Sequence, residues 1–204
     1  LLLIPSAVLM AVLAEPITRL VYERGAFGSE ATDLTSTAMF WWSISLPFQG
    51  VSLLFSRTFF SLQRPWATTA LAGLNLVVNA ALAAVLHGPF EITGIVLGTV
   101  AGTVVMCVAQ GWILRGALGG VEGTRMVSAT ARMLGAAALT GAVAYGAWYG
   151  LDELIGRSLL GQALSLLVAL SVGAAAYAAA VWAAGVPEAY QIRRLLVSRE
   201  AGEG

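Results

Sequence analysis

The sequence has no lysine, a single cysteine, a single histidine and little charge of either sign. Each scarcity removes a class of function. With only Cys107, no internal disulfide and no multi-cysteine metal site can form. With only His87, there is no second histidine for a zinc site or a histidine-based triad. Charged residues are 11% of the chain, against roughly 25% in soluble domains, too few to coat a water-facing surface. The 11 basic residues, all arginine, balance 11 acidic ones to a net charge of +0 and form no dense cluster. A nucleic-acid partner is therefore not expected.

What the chain has instead is apolar length. Hydrophobic residues make up 58% of the sequence, and the mean hydropathy is +0.82. The organising feature is the polar turn Arg19-Leu20-Val21-Tyr22-Glu23-Arg24-Gly25-Ala26-Phe27. Uncharged runs flank it, Leu1 to Ala14 upstream and Leu34 to Ser56 downstream. Rods of this length suit a bilayer whose apolar core is about 30 Å thick. The fold class expected is all-α, a polytopic integral membrane helix bundle of about six transmembrane helices. The spans run from about Leu1 to Tyr22, Ala31 to Leu62, Trp66 to Leu86, Ile92 to Leu114, Ala131 to Gly150 and Leu159 to Ala184. Pro5 and Pro16 are expected to kink the first, and Pro47 with Gly50 to bend the second. Breaks are expected at Gln63-Arg64-Pro65 and at His87-Gly88-Pro89-Phe90-Glu91. Residues 1–115 then form a four-helix part, 116–128 a connection, 129–186 two further helices and 187–204 a polar tail.

Alternating spans place Arg57, Arg64, Arg115, Arg125, Arg132, Arg193, Arg194 and Arg199 on one side, and Arg19, Arg24 and Arg157 on the other. Arginine-rich ends stay in the cytoplasm, so the C-terminus is expected inside and the Arg19–Phe27 turn outside. Trp66, Trp112 and Trp182 fall near inner interfaces, Tyr22, Trp148 and Tyr149 near outer ones, as an aromatic belt requires. The expected location is a membrane that the chain crosses several times. The chain carries no initiator Met and starts within an apolar run, so it is expected to be a piece of a longer polypeptide.

Several segments resemble the MurJ/MviN family, the lipid II flippases of peptidoglycan synthesis within the MATE-like exporter superfamily. They are Ile4-Pro5-Ser6-Ala7, Leu13-Ala14-Glu15-Pro16-Ile17, the Arg19–Phe27 turn, Leu54-Phe55-Ser56-Arg57-Thr58-Phe59-Phe60-Ser61-Leu62 and Gly94-Ile95-Val96-Leu97-Gly98-Thr99. The likeness is strongest over residues 4–62 and weak after Gly116. It implies that these are the last six of fourteen helices, four closing the second lobe and two added at the C-terminus beside a groove for the lipid tail. The cavity arginines that hold the substrate's pyrophosphate would lie on a missing N-terminal lobe and on the helix just before Leu1, so this piece alone should flip nothing. Where the family has an Asp-Thr-x-Thr-Pro-like turn, this chain has Gln63-Arg64-Pro65-Trp66-Ala67-Thr68. The implied partners are lipid II or a related undecaprenyl-linked substrate, membrane lipids and that missing lobe. The implied mechanism is alternating access, a transport process with no covalent chemistry.

Three groups of residues are candidates for function. Glu15, Arg19 and Glu23, at i, i+4 and i+8 with Arg24 beside them, form either a charged outer gate or an ion-pair ladder at a helix end. Arg57 and Gln49 are substrate-side candidates: a guanidinium pairs with phosphate oxygens, and an amide beside Pro47 can face a cavity. Positive-inside anchoring explains Arg57 equally. Asn75, Asn79 and Thr99 offer oxygen donors for a sodium ion, or simply interhelical hydrogen bonds. The resemblance implies a cation site on these helices in some family members, where an acidic residue contributes; position 79 is Asn here. No cofactor is expected, and coupling to sodium or to the membrane potential stays open. Gln110 and Gln162 are expected to glue helices together. Other functions remain open: another exporter of lipid-linked oligosaccharides or drugs, a membrane enzyme on lipid-linked sugars, or a non-transporting accessory membrane protein. An enzyme would need acid, base or metal-ligand residues gathered on one side, and the sequence gathers none.

Overall fold

The structure, a computed structural model, describes residues 2–23, 28–117, 123–155 and 159–183, without side chains for 123–129. All described secondary structure is helical: α1 (Leu3–Val12), α2 (Ala14–Tyr22), α3 (Ser29–Ser61), α4 (Pro65–Ala117), α5 (Gly123–Ile155) and α6 (Leu159–Ala183). Packing divides the chain into two units, Ser6–Val121, and Glu122–Gly204 with Leu1–Pro5.

The first expected span is not one kinked rod. It is two helices bent by 67°, and the break falls at Leu13 rather than at either proline. Pro5 and Pro16 each occupy the third position of their helix, where a missing N–H costs nothing because first-turn N–H groups have no intrahelical acceptor. Pro16 instead leaves the carbonyl four residues earlier without a partner, and the ladder stops just there. Leu13 is fully buried at the corner.

α3 runs through Pro47 as a single helix. Its 33 residues span about 50 Å, more than a perpendicular crossing needs.

α4 has 53 residues and would be about 80 Å long if straight. It folds at Glu91, whose φ of 49° and ψ of −126° are not helical. The arms 65–90 and 92–117 lie antiparallel. Gly94 faces the Leu86 carbonyl, Gly98 faces Ala83 and Asn79, and Gly102 faces Asn75. With no hydrophobic force between helices in lipid, such close backbone approach supplies the dispersion contacts that hold the pair. The loop expected at 87–91 is thus a one-residue reversal, and His87 Nδ1 lies 3.3 Å from Glu91 O across it. A side chain at this backbone angle costs about 1–3 kcal/mol, which glycine avoids. Glu91→Gly is therefore expected to raise the melting temperature of the purified chain in detergent. A lower one would show that the carboxylate itself holds the turn.

At the opposite end of this unit, Phe59, Leu71 and Leu114 form a buried cluster that joins α3 to both arms of α4, with Phe55 and Met106 against it. The ends of α3, of the first arm and of the second arm are thereby brought together.

α5 and α6 pack as a pair. α6 buries Gly161, Ser165, Ala169, Gly173, Tyr177 and Val181, a stripe of four-residue spacing, with Leu166 beside it. α5 buries Ala136, Ala137, Thr140, Ala144 and Trp148.

The architecture is that of an all-α polytopic membrane bundle. By length and apolarity, α3, α4 and α6 qualify as spans, and the bent pair α1–α2 makes a fourth. α5 is long enough at 33 residues but is not among them. Gly135, Gly141, Gly146 and Gly150, with Thr140, Tyr145 and Tyr149, dilute its apolarity. The expected connection is also shorter than 116–128, since helix begins at Gly123.

Candidate functional site

Three polar clusters stand out in the unit Ser6–Val121. The first lies where α2 meets α3. Arg19 Nη2 donates to Glu15 Oε1 at 2.5 Å, and Arg19 Nε lies 3.6 Å from Glu23 Oε2. The i, i+4, i+8 spacing therefore places one guanidinium between two carboxylates. Glu23 also accepts a 3.4 Å hydrogen bond from Thr32 Oγ1 on α3, and buried Thr18 points its hydroxyl at Met39 Sδ, 3.8 Å away. The ladder is thus tied to the next helix, which its own spacing does not reveal. Glu15 and Glu23 side chains remain 51% and 36% exposed, so water screens the pairs and each contributes little to stability. Arg24 lies outside the described residues.

The second cluster is on the α4 hairpin. Asn79 Nδ2 donates to Thr99 Oγ1 at 3.2 Å, and that hydroxyl donates to Ile95 O at 3.2 Å. Asn75, one turn from Asn79, donates to Met106 Sδ at 3.3 Å. The fold brings Asn79 and Thr99 together and holds Asn75 beside them. The donor set is neutral, and among the described residues no group of three or more His, Cys, Asp or Glu could hold a metal ion. As they stand, these contacts are interhelical hydrogen bonds, worth about 0.6 kcal/mol each on average.

The third cluster is on the C-terminal half of α3. Gln49 Nε2 donates to Ser45 Oγ at 2.7 Å, and Ser45 donates to Trp42 O at 2.7 Å. Gln49 is exposed and bonded within its own helix. Arg57 is exposed too, and no hydrogen bond or ion pair engages it among the described residues. Between them, Ser52 and Ser56 both bond Gln110 of α4. These serines were not expected to matter. Their four-residue spacing in an apolar helix, opposite a lone glutamine, was the available signal.

Charge is segregated along this unit. Glu15, Glu23, Glu30, Asp33 and Glu91, with Arg19, lie toward the end where α3 begins and α4 folds back. Arg57, Arg64 and Arg115 lie at the other end, with no acidic residue near them in sequence. Trp66 and Trp112 flank that basic end and are 81% and 79% exposed, as interfacial anchors are.

Helices this apolar, folded into hairpins with polar residues inside the spans and arginines at one end, define a polytopic membrane protein. Residues 1–161 match the family described as lipid II flippase MurJ, and the chain belongs to that family. It is 28% identical over 197 residues to a probable lipid II flippase MurJ of Rhizobium meliloti, covering 95% of this chain and 36% of that protein. Against the probable lipid II flippase MurJ of Synechocystis it is 25% identical over 179 residues, 84% of this chain and 34% of the relative. Against the lipid II flippase MurJ of Thermosipho africanus it is 30% identical over 99 residues, 47% of this chain and 20% of that protein. The chain thus spans about a third or less of these relatives.

Proposed function

We propose that this chain is the C-terminal portion of a lipid II flippase that works by alternating access across the bacterial cytoplasmic membrane. The family match along residues 1–161 carries this reading. The unit Ser6–Val121 supplies part of the second lobe, and α5 with α6 the two added helices. The basic end, with Arg57, Arg64 and Arg115, faces the cytoplasm by the positive-inside bias, which puts the C-terminus inside and the Glu15–Arg19–Glu23 ladder at the outer gate. A missing N-terminal lobe completes the cavity, and the two lobes rock about the substrate's polar headgroup while its tail stays in lipid.

Arg57 and Gln49 are the substrate-side groups of this piece. An unpaired guanidinium near the inner interface can hold a phosphate oxygen by charge-assisted hydrogen bonds. Asn75, Asn79 and Thr99 are the oxygen donors that the lobe would offer a coupling sodium ion.

The test is complementation of a flippase-depleted bacterium with the reading frame extended upstream of Leu1. Growth is expected with the extended frame and not with residues 1–204 alone. Arg57→Ala in the extended frame is expected to cut lipid II translocation about ten-fold, the worth of one charged hydrogen bond. Failure of the extended frame, produced and inserted, would favour another exporter of the superfamily. Unchanged translocation in Arg57→Ala would leave Arg57 an anchor only.

A further inference from the structure

Gln110 has no exposed surface, and both ends of its amide are spent on α3. Ser52 Oγ donates to Gln110 Oε1 at 2.6 Å, and Gln110 Nε2 donates to Ser56 Oγ at 3.1 Å. One side chain thereby grips two successive turns of the neighbouring helix. A single bond would let α3 roll about it. Two bonds, to residues four apart on one face, fix both its rotation and its axial register. Phe55 lies between the gripped serines, and its ring sits 3.4 Å from where a Cβ on Gly111 would stand. The residue after Gln110 therefore presents a smooth surface that the ring covers.

Among the described residues, these two bonds of Gln110 are the only side-chain hydrogen bonds between α3 and α4. Just above it, Pro47 withholds the N–H that would bond the Ser43 carbonyl, so the helix ladder is one bond short there. Among the described residues, Gln49 bonds only within α3. Below the grip, Phe59 enters the cluster with Leu71 and Leu114, a greasy contact that tolerates sliding better than a pair of directional bonds.

Arg57 directly follows Ser56 and is turned about 100° from it around the helix axis. With Ser56 held against α4, the guanidinium is directed off that helix. We propose that Gln110 is a positioning residue for Arg57: its double grip on Ser52 and Ser56 sets the face on which Arg57 presents its guanidinium to a pyrophosphate-bearing lipid. This rests on Arg57 being a substrate-side group. The structural half, that Gln110 aims position 57, is testable without transport.

The experiment uses the extended protein in inverted membrane vesicles, with Cys107→Ser as background and Arg57→Cys as reporter. The rate of labelling by a membrane-impermeant cationic thiosulfonate is read after subtracting the rate of the Arg57-intact protein. Gln110→Leu keeps most of the volume and removes both bonds. It is expected to change the labelling rate at position 57 about five-fold, in line with the loss of about 1 kcal/mol of orienting interaction. The rate at Arg115→Cys, a control on α4 itself, should stay unchanged. The double variant Ser52→Ala/Ser56→Ala should reproduce the effect, and adding Gln110→Leu to it should change nothing more, since all three act as one unit. Equal rates at position 57 with and without Gln110, or equal changes at 57 and 115, would overturn the proposal. A selective change at 57 together with failed complementation would leave the positioning role standing and remove lipid II as the substrate.

Discussion

A methyl group at residue 94 is expected to keep the α4 hairpin from closing. A Cβ on Gly94 would stand 2.2 Å from the Leu86 carbonyl oxygen and 2.4 Å from its carbon, with His87 N at 2.9 Å. All three are backbone atoms of the opposing arm, so no side chain can swing aside. The arms must separate, and separation forfeits the close contacts further along. There a Cβ on Gly98 would be 2.8 Å from Ala83 N, and one on Gly102 3.1 Å from Asn75 O. Gly94→Ala is therefore expected to destabilise the unit by about 3 kcal/mol or more, with Gly98→Ala next and Gly102→Ala least. The Asn79–Thr99 and Asn75–Met106 bonds would be lost with it. The measurement is the detergent-denaturation midpoint of the purified chain for the three variants. Midpoints equal to the unsubstituted chain, or the reverse order, would mean that the arms are not held by backbone contact at these glycines.

That hairpin also shows how far the sequence could be followed. Apolar runs and turn residues place some helix bounds within a few residues, as the expected span 31–62 against α3 at Ser29–Ser61 illustrates, whereas α5 begins at Gly123, well before the expected Ala131. The spacing of Glu15, Arg19 and Glu23 gives the ion-pair ladder, because contacts within one helix depend only on separation along the chain. Three features were hidden for three different reasons. The break at Leu13 was displaced from Pro16 because a proline acts on the carbonyl four residues before it. The sequence points to a wider loop around Gly88 and Pro89 rather than to Glu91, because residue type favours those positions while the left-handed angle is forced on Glu91 by the approach of the two arms. The grip of Gln110 on Ser52 and Ser56 joins residues more than fifty apart. Local periodicity puts Ser52 and Ser56 on one face but does not name their partner; only the fold of α4 back along α3 brings the three side chains together. The same limit applies to Asn79 and Thr99, each visible as a polar residue in an apolar run but not as a bonded pair.

In the α5–α6 pair, replacing one fully buried alanine by leucine should separate the helices. Ala169 has no exposed surface and stands midway along the stripe Gly161, Ser165, Ala169, Gly173, Tyr177 and Val181 on α6. In water a larger apolar side chain would gain transfer energy on burial. In a bilayer the lipid tails are as apolar as leucine, so that gain vanishes and only the steric cost of about 1–3 kcal/mol for overpacking remains. Ala169→Leu is expected to abolish most energy transfer between a donor on α5 and an acceptor on α6 in lipid nanodiscs, and to lower the denaturation midpoint. Ala178, on the same helix but exposed, is the control: Ala178→Leu adds the same volume to a face that meets no helix of this unit and should leave both readings unchanged. Equal effects at 169 and 178 would show that α6 tolerates or rejects bulk regardless of face, and that the four-residue stripe does not govern the pairing. A loss confined to 169 would make close approach at the small residues the force that holds α5 against α6.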